Sequence, residues 1–147
     1  VSVVSEIENQ GLDEELFNTL IEHNLQAPFY NMLGLKPSGL GRGWARYALT
    51  LDHRHCNAQG NPHGGVIATM VDTAMGNALA TMGIRPLTAE LTLHLVSSPS
   101  VGAQVVVEAE VVSIGSRLGF TRATVTWEDR IVATAQGCFA NAGPVSP

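Results

Sequence analysis

The chain has 147 residues, 45% of them apolar and only 14% charged, against roughly 25% charged in an average globular domain. That length suits one domain around a single core, and the composition excludes disorder. So few charges predict that part of the apolar surface is covered by a second copy of the chain. With a net charge of −5 and Lys36 as the only lysine, no basic cluster is present to track a phosphate backbone, and nucleic acid is excluded as an expected partner.

Cys56 and Cys138 are too few to form a disulfide framework in a chain of this length. The sequence does not open on a positive segment followed by an apolar core, so no secretory signal is expected. The longest weakly charged stretch, about His63 to Met82, carries Gly, Asn, Thr and a central Asp72, which fits a helix buried in protein better than a membrane span. A cytoplasmic protein with no membrane partner is expected.

The first predicted element is a helix over about Leu12 to Asn24, with Leu12, Leu16, Leu20 and Ile21 at helical spacing. Asp13, Glu14 and Glu15 sit in its first turn, where carboxylates complement the helix dipole. A second short helix is predicted after Pro28, ended by Gly34, and Lys36 to Gly43 reads as a Gly- and Pro-rich loop. A strand follows from about Gly43 to Asp52, then a polar loop, His53 to Pro62, and the long helix, His63 to Met82. Beyond it the period becomes 2, with strands at about Thr88–Val96, Gln104–Ile114, Leu118–Trp127 and Ile131–Ala140. A long apolar helix laid across a curved antiparallel sheet is an α+β arrangement. We expect a single domain over 1–147, with about 1–27 as an N-terminal helical extension.

At 100° per residue, Gly65, Ala68, Thr69, Asp72, Thr73, Gly76 and Ala80 share one side of the long helix. Ile67, Met70, Val71, Met75 and Met82 fall toward the other. The bulky side is suited to packing on the sheet. The small side admits another backbone or a ligand, and Asp72 is its only ionisable group. Such an acid is costly to bury without partners, so it serves either a structural hydrogen bond or catalysis. At the helix start, His63-Gly64-Gly65 presents backbone N–H groups that have no intrahelical partner and can hold an oxyanion. Gly64 and Asp72 stand eight residues apart on one helix, about 12 Å at 1.5 Å per residue. They reach one carbonyl only if two antiparallel helices meet across a twofold axis.

The run His55-Cys56-Asn57-Ala58-Gln59-Gly60-Asn61-Pro62-His63-Gly64-Gly65, then Val71-Asp72, resembles the hotdog-fold acyl-CoA thioesterases. Among these it is most similar to the phenylacetate-pathway and thioesterase superfamily member 2 type. The resemblance covers about Pro28 to Ala140 and includes Gly115-Ser116-Arg117-Leu118-Gly119-Phe120. It implies a hotdog fold, a homodimer and a homotetramer, and hydrolysis of an acyl-CoA thioester to free acid and CoA with no metal or redox cofactor. Asp72 matches the general base or nucleophile. Gly64 matches the glycine whose N–H polarises the thioester carbonyl across the subunit boundary. Asn57 and His63 match residues that orient the carbonyl or the attacking water, and Thr88 a Ser/Thr position that helps hold the water. Gly65 and Thr73, on the small side of the helix, and Arg117 and Leu118, in the turn matched to the CoA region, are the expected substrate contacts. The strand after the helix departs from the family pattern, with His94 and Leu95 where many relatives carry an aromatic and a basic residue.

The same region offers rival chemistries. Asp52, His53, His55, Cys56 and His63 include metal-ligand types, but their spacing is not that of a zinc ribbon or a His-Glu-x-x-His helix. Cys56 paired with a histidine offers a nucleophile. A hotdog dehydratase or hydratase would use a His with an acidic partner, but no Asp-x-x-x-x-His pattern is present. A non-catalytic acyl-CoA binding module would not need both Asp72 and the His-Gly-Gly donors. Trp44, Tyr47, Phe120 and Trp127 are read as core or interface residues, and His23 and His94 receive no role.

Overall fold

The computed structural model describes residues 6–147; the first five positions of the expected 1–27 extension lie outside the described residues. Strand β1 (Glu8–Gln10) precedes helix α1 (Glu14–Gln26). The Asp13 carboxylate caps α1 by accepting the Leu16 N–H at 3.1 Å, satisfying one of the donors that a helix start leaves over. Its inner stripe is Phe17, Leu20, Ile21 and Asn24. Ala27 is extended ahead of Pro28, as a residue before proline must be, and this separates α1 from helix α2 (Pro28–Leu33). Gly34 closes α2 at φ 78°, a conformation that suits glycine.

Strands β2 (Lys36–Gly41) and β3 (Trp44–Thr50) follow, then helix α3 (Gly64–Ala80) and strands β4 (Ile84–Leu95), β5 (Gln104–Ile114), β6 (Leu118–Trp127) and β7 (Arg130–Pro144). The described strands form one seven-stranded sheet in the order β1-β2-β3-β5-β6-β7-β4. Every neighbouring pair is antiparallel except β1 with β2. The segment expected as a loop, 36–43, is corrected to strand β2. Its glycines are what allow the pairing: a Cβ on Gly39 would stand 2.8 Å from the Trp44 ring, and one on Gly41 2.9 Å from the Gln10 Cβ. Side-chain-free positions are needed where β1 and Trp44 close over this edge.

Helix α3 crosses the inner face of the sheet. Ile67, Met70, Val71, Met75 and Leu79 are buried on Tyr47, Val105, Val107 and Val125, each such side chain contributing about 1.5–3 kcal/mol. The sheet accepts the helix closely at two glycines. A Cβ on Gly119 would lie 2.6 Å from Leu79, and one on Gly137 3.0 Å from Met75. After α3 the chain enters the far edge of the sheet, so β4 pairs with β7 rather than with the next strand in sequence. The other edge of β4 has no partner among the described residues. No described helix is long and apolar enough to cross a membrane.

Candidate active site

The polar loop is braced from within. The Asp52 N–H donates to His55 Nδ1 at 2.9 Å, and His55 Nε2 lies 2.7 Å from the Leu33 carbonyl. An Nδ1 that accepts leaves the ring proton on Nε2, which donates to Leu33. His55, only 1% exposed, is thus a strut between loop and α2. Asn57 Oδ1 accepts the N–H groups of Gln59 (3.0 Å) and Asn61 (3.1 Å), folding the loop back so that Cys56 bridges to Pro62. Among the described residues, no three His, Cys, Asp or Glu side chains converge into a metal-ligand set. The Cys56 thiol points to the Asp52 carbonyl at 3.6 Å.

The braced loop delivers His63 to the N-cap of α3. The His63 N–H donates to the His55 carbonyl (2.8 Å), and His63 Nδ1 accepts the Gly65 N–H (2.8 Å). Val66 N–H donates to the His63 carbonyl at 3.0 Å. Gly65, an expected substrate contact, therefore has its amide committed to His63. The Gly64 N–H makes no hydrogen bond among the described residues and stands at the positive end of the helix. A Cβ on Gly64 would lie 2.9 Å from Leu95 Cδ1, so the inner side of β4 runs directly past this donor.

Two turns along α3, half-buried Asp72 accepts a hydrogen bond on Oδ1 from the Thr88 hydroxyl at 2.7 Å. Thr88 faces inward because it pairs with Phe139, whose ring lies against Gly76. The second carboxylate oxygen of Asp72 has no partner among the described residues. Both residues open onto a cavity of about 280 Å³ that runs along α3 past Thr73 and Asn77. A wider depression, about 500 Å³, lies on the opposite face of the sheet around Trp44, His94 and Arg122. It holds none of the candidate site residues, and Arg122 is tied there to Glu110.

Within one chain the candidates fall into three groups. Asp72, Thr73 and Thr88 share the cavity. Asn57, His63, Gly64 and Gly65 gather at the start of α3. Arg117 and Leu118 sit exposed at the β5–β6 turn, where the Arg117 carbonyl accepts the Asn141 N–H at 2.9 Å. His23 and Arg85 also line the cavity, a placement that no spacing or motif predicts. A buried chain of amides supports the wall. The Tyr47 hydroxyl donates to Asn24 Oδ1 (2.6 Å), Asn24 Nδ2 to Asn77 Oδ1 (2.9 Å), and Asn77 Nδ2 to the Thr73 carbonyl (2.9 Å). Burial, with Tyr30 adding to it, pushes the Tyr47 phenol well above its ordinary 10.0, against the opposing effect of the Asn24 bond. The one signal available in sequence was Asn24, a polar residue in the apolar stripe of α1 beside Leu20 and Ile21.

Comparison with known proteins identifies the family. The profile of the thioesterase superfamily matches residues 59–134, just over half the chain and the stretch that contains Gly64, Asp72 and Thr88. A Pseudomonas aeruginosa protein, PA0474, is 35% identical over 95 residues, covering 63% of this chain and 71% of that one. Human acyl-coenzyme A thioesterase 13 is 30% identical over 91 residues, covering 60% of this chain and 65% of the human protein. The E. coli PaaI structure, from the phenylacetic acid degradation operon, superposes with a TM-score of 0.85 at 18% identity, over 92% of this chain and 99% of that one. That last likeness carries the fold, with the long helix against a mostly antiparallel sheet. The chain has the hotdog fold and belongs to the thioesterase superfamily.

Proposed function

We propose that this chain hydrolyses an acyl-CoA thioester to the free acid and CoA, at a site shared between two copies. The observation that carries the reading is the Asp72–Thr88 pair at a cavity mouth, with one carboxylate oxygen tied at 2.7 Å and the other unpartnered. Thr88 fixes the carboxylate, and the remaining oxygen is available to take a proton from water or to attack the carbonyl. A water oxygen bonds to the carbonyl carbon, the C–S bond breaks, and the departing CoA thiolate takes up the proton. An enzyme-bound anhydride that water then opens gives the same balance. No metal or redox cofactor enters this chemistry.

The developing oxyanion needs a donor, and the Gly64 N–H is free and at a helix start. Asp72 of the same chain lies about 12 Å along the axis, so the donor comes from a second copy. The unpartnered outer edge of β4 supports that pairing. An open strand of 12 residues is a template for another strand, and Leu95 of β4 lies against Gly64. His63 holds the helix start in shape and Asn57 holds the loop. Gly65, Thr73, Arg117 and Leu118 belong to the substrate-contacting surface of the assembled homodimer, from which a tetramer would be built. The name of the human relative, acyl-coenzyme A thioesterase 13, supports acyl-CoA as the substrate class.

The test is thiol release from a panel of aryl-acetyl and straight-chain acyl-CoAs, run on the wild type and Asp72→Asn together. Turnover by the wild type that vanishes in Asp72→Asn is expected. Equal turnover by both, or none by the wild type on any substrate, contradicts the reading.

A further inference from the structure

The cavity beyond Asp72 is furnished with donors that find no acceptor among the described residues. Thr73 is only 5% exposed, lines the cavity, and its hydroxyl makes no hydrogen bond among the described residues. No described side-chain nitrogen or oxygen is sealed away without a partner, so this hydroxyl opens into the cavity space. One turn on, Asn77 uses one amide hydrogen on the Thr73 carbonyl and keeps the other. Arg85, just ahead of Thr88 on β4, has no ion-pair partner among the described residues, and His23 stands on the α1 wall. The only carboxylate lining the cavity is Asp72 itself, at the reacting end. At about 30 Å³ per water in the liquid, 280 Å³ holds a short acyl group but not the pantetheine arm and nucleotide of CoA.

We propose that this cavity is an acyl subsite selecting a short chain with a carboxylate at its far end, the thioester of a dicarboxylic acid. The inference rests on the thioesterase reading of Asp72. With the thioester carbonyl at Asp72, the acyl chain runs along α3, and the Asn77 level lies about 7.5 Å further along the axis. There Arg85, exposed at the cavity rim, receives the distal carboxylate as a cation able to bond both its oxygens, with the Asn77 amide beside it, and the Thr73 hydroxyl stands a turn earlier, nearer the thioester. A neutral chain of the same length forgoes the Arg85 ion pair and covers the half-buried Asn77 amide without bonding it, which is how a polar subsite disfavours the analogue lacking the group.

Two measurements separate this subsite from the hydrolase reading. Equilibrium binding of glutaryl-CoA and valeryl-CoA to Asp72→Asn reads the subsite without turnover. We expect glutaryl-CoA to bind about tenfold tighter or more. That preference should collapse in Asp72→Asn/Arg85→Gln and return partly with Asp72→Asn/Arg85→Lys, valeryl-CoA binding staying within about twofold in both. Equal binding of the two thioesters, or a preference that survives Arg85→Gln, overturns the subsite. Wild-type turnover of either thioester then tests the hydrolase reading independently.

Discussion

The two sides of α3 obey different rules. The side facing the sheet is fully packed, with Met70, Val71, Met75 and Leu79 buried and glycines in the sheet cleared for them. Away from that packing, the helix carries polar groups without partners among the described residues: the Gly64 N–H at its start, one oxygen of Asp72 and the Thr73 hydroxyl. Unsatisfied groups are costly in a folded chain, and on the proposed reading these are the groups that a substrate completes. The difference teaches that stability and chemistry are separable along a single element, so substitutions on each side should report different quantities.

The sharpest way to break that separation is Asp72→Asn. It should lower kcat by roughly 10²–10⁴-fold and leave the thermal midpoint near that of the wild type, as steady-state kinetics and thermal unfolding would show together. Where the helix packs on the sheet at Gly119, Leu79→Ala should cost about 2–5 kcal/mol of stability by chemical denaturation, with kcat per folded molecule retained. Thr88→Val sits between them: loss of its bond to a charged oxygen should cut kcat about tenfold with little change in unfolding. Activity lost from Leu79→Ala in proportion to Asp72→Asn would erase the contrast between the sides.

A smaller effect concerns the network behind the cavity wall. The Tyr47 phenol is held well above 10.0 in the folded chain, so the stability it contributes is fully present below 10.0, the unfolded value. As pH rises past 10.0 the unfolded phenol ionises first and that stability is lost. Tyr47→Phe should be less stable than the wild type near neutrality by about 1 kcal/mol, its Asn24 partner left unpaired. The gap between the two proteins should narrow as urea titrations move above pH 10. A gap that widens would contradict the assignment.

Much of the fold was legible from periodicity. β5 and β6 have the predicted bounds because alternation and turn residues agree there, and α3 lies within its predicted span because His63 caps it. β2 was hidden: its Gly- and Pro-rich sequence has no strand propensity, and its pairing depends on β1 and Trp44, which are distant or only weakly patterned in sequence. The seat of β4 beside β7 is likewise a property of the whole sheet. At the site, spacing alone gave Asp72 and the free Gly64 donor, whereas Thr88 came only through the family resemblance. Arg85, His23 and Asn77 carried no local signal. Their meeting at one cavity depends on where α1 and β4 dock, which no short pattern encodes.

The central claim is that Asp72 and Gly64 serve one reaction from two chains, and mixing variants tests it most directly. Proline is tolerated at the first position of a helix, His63 ahead of Gly64 is already extended, and the atom a Cβ would meet at 2.9 Å is the tip of the exposed Leu95 side chain, which has room to turn aside, so Gly64→Pro removes the N–H while keeping the fold. Asp72→Asn and Gly64→Pro should each be nearly inactive alone. Refolded together at equal ratio, they should regain about a quarter of wild-type thiol release, since half the dimers are mixed and each mixed dimer has one intact site. A mixture no more active than its separate components, with mixed dimers present, would contradict the shared site.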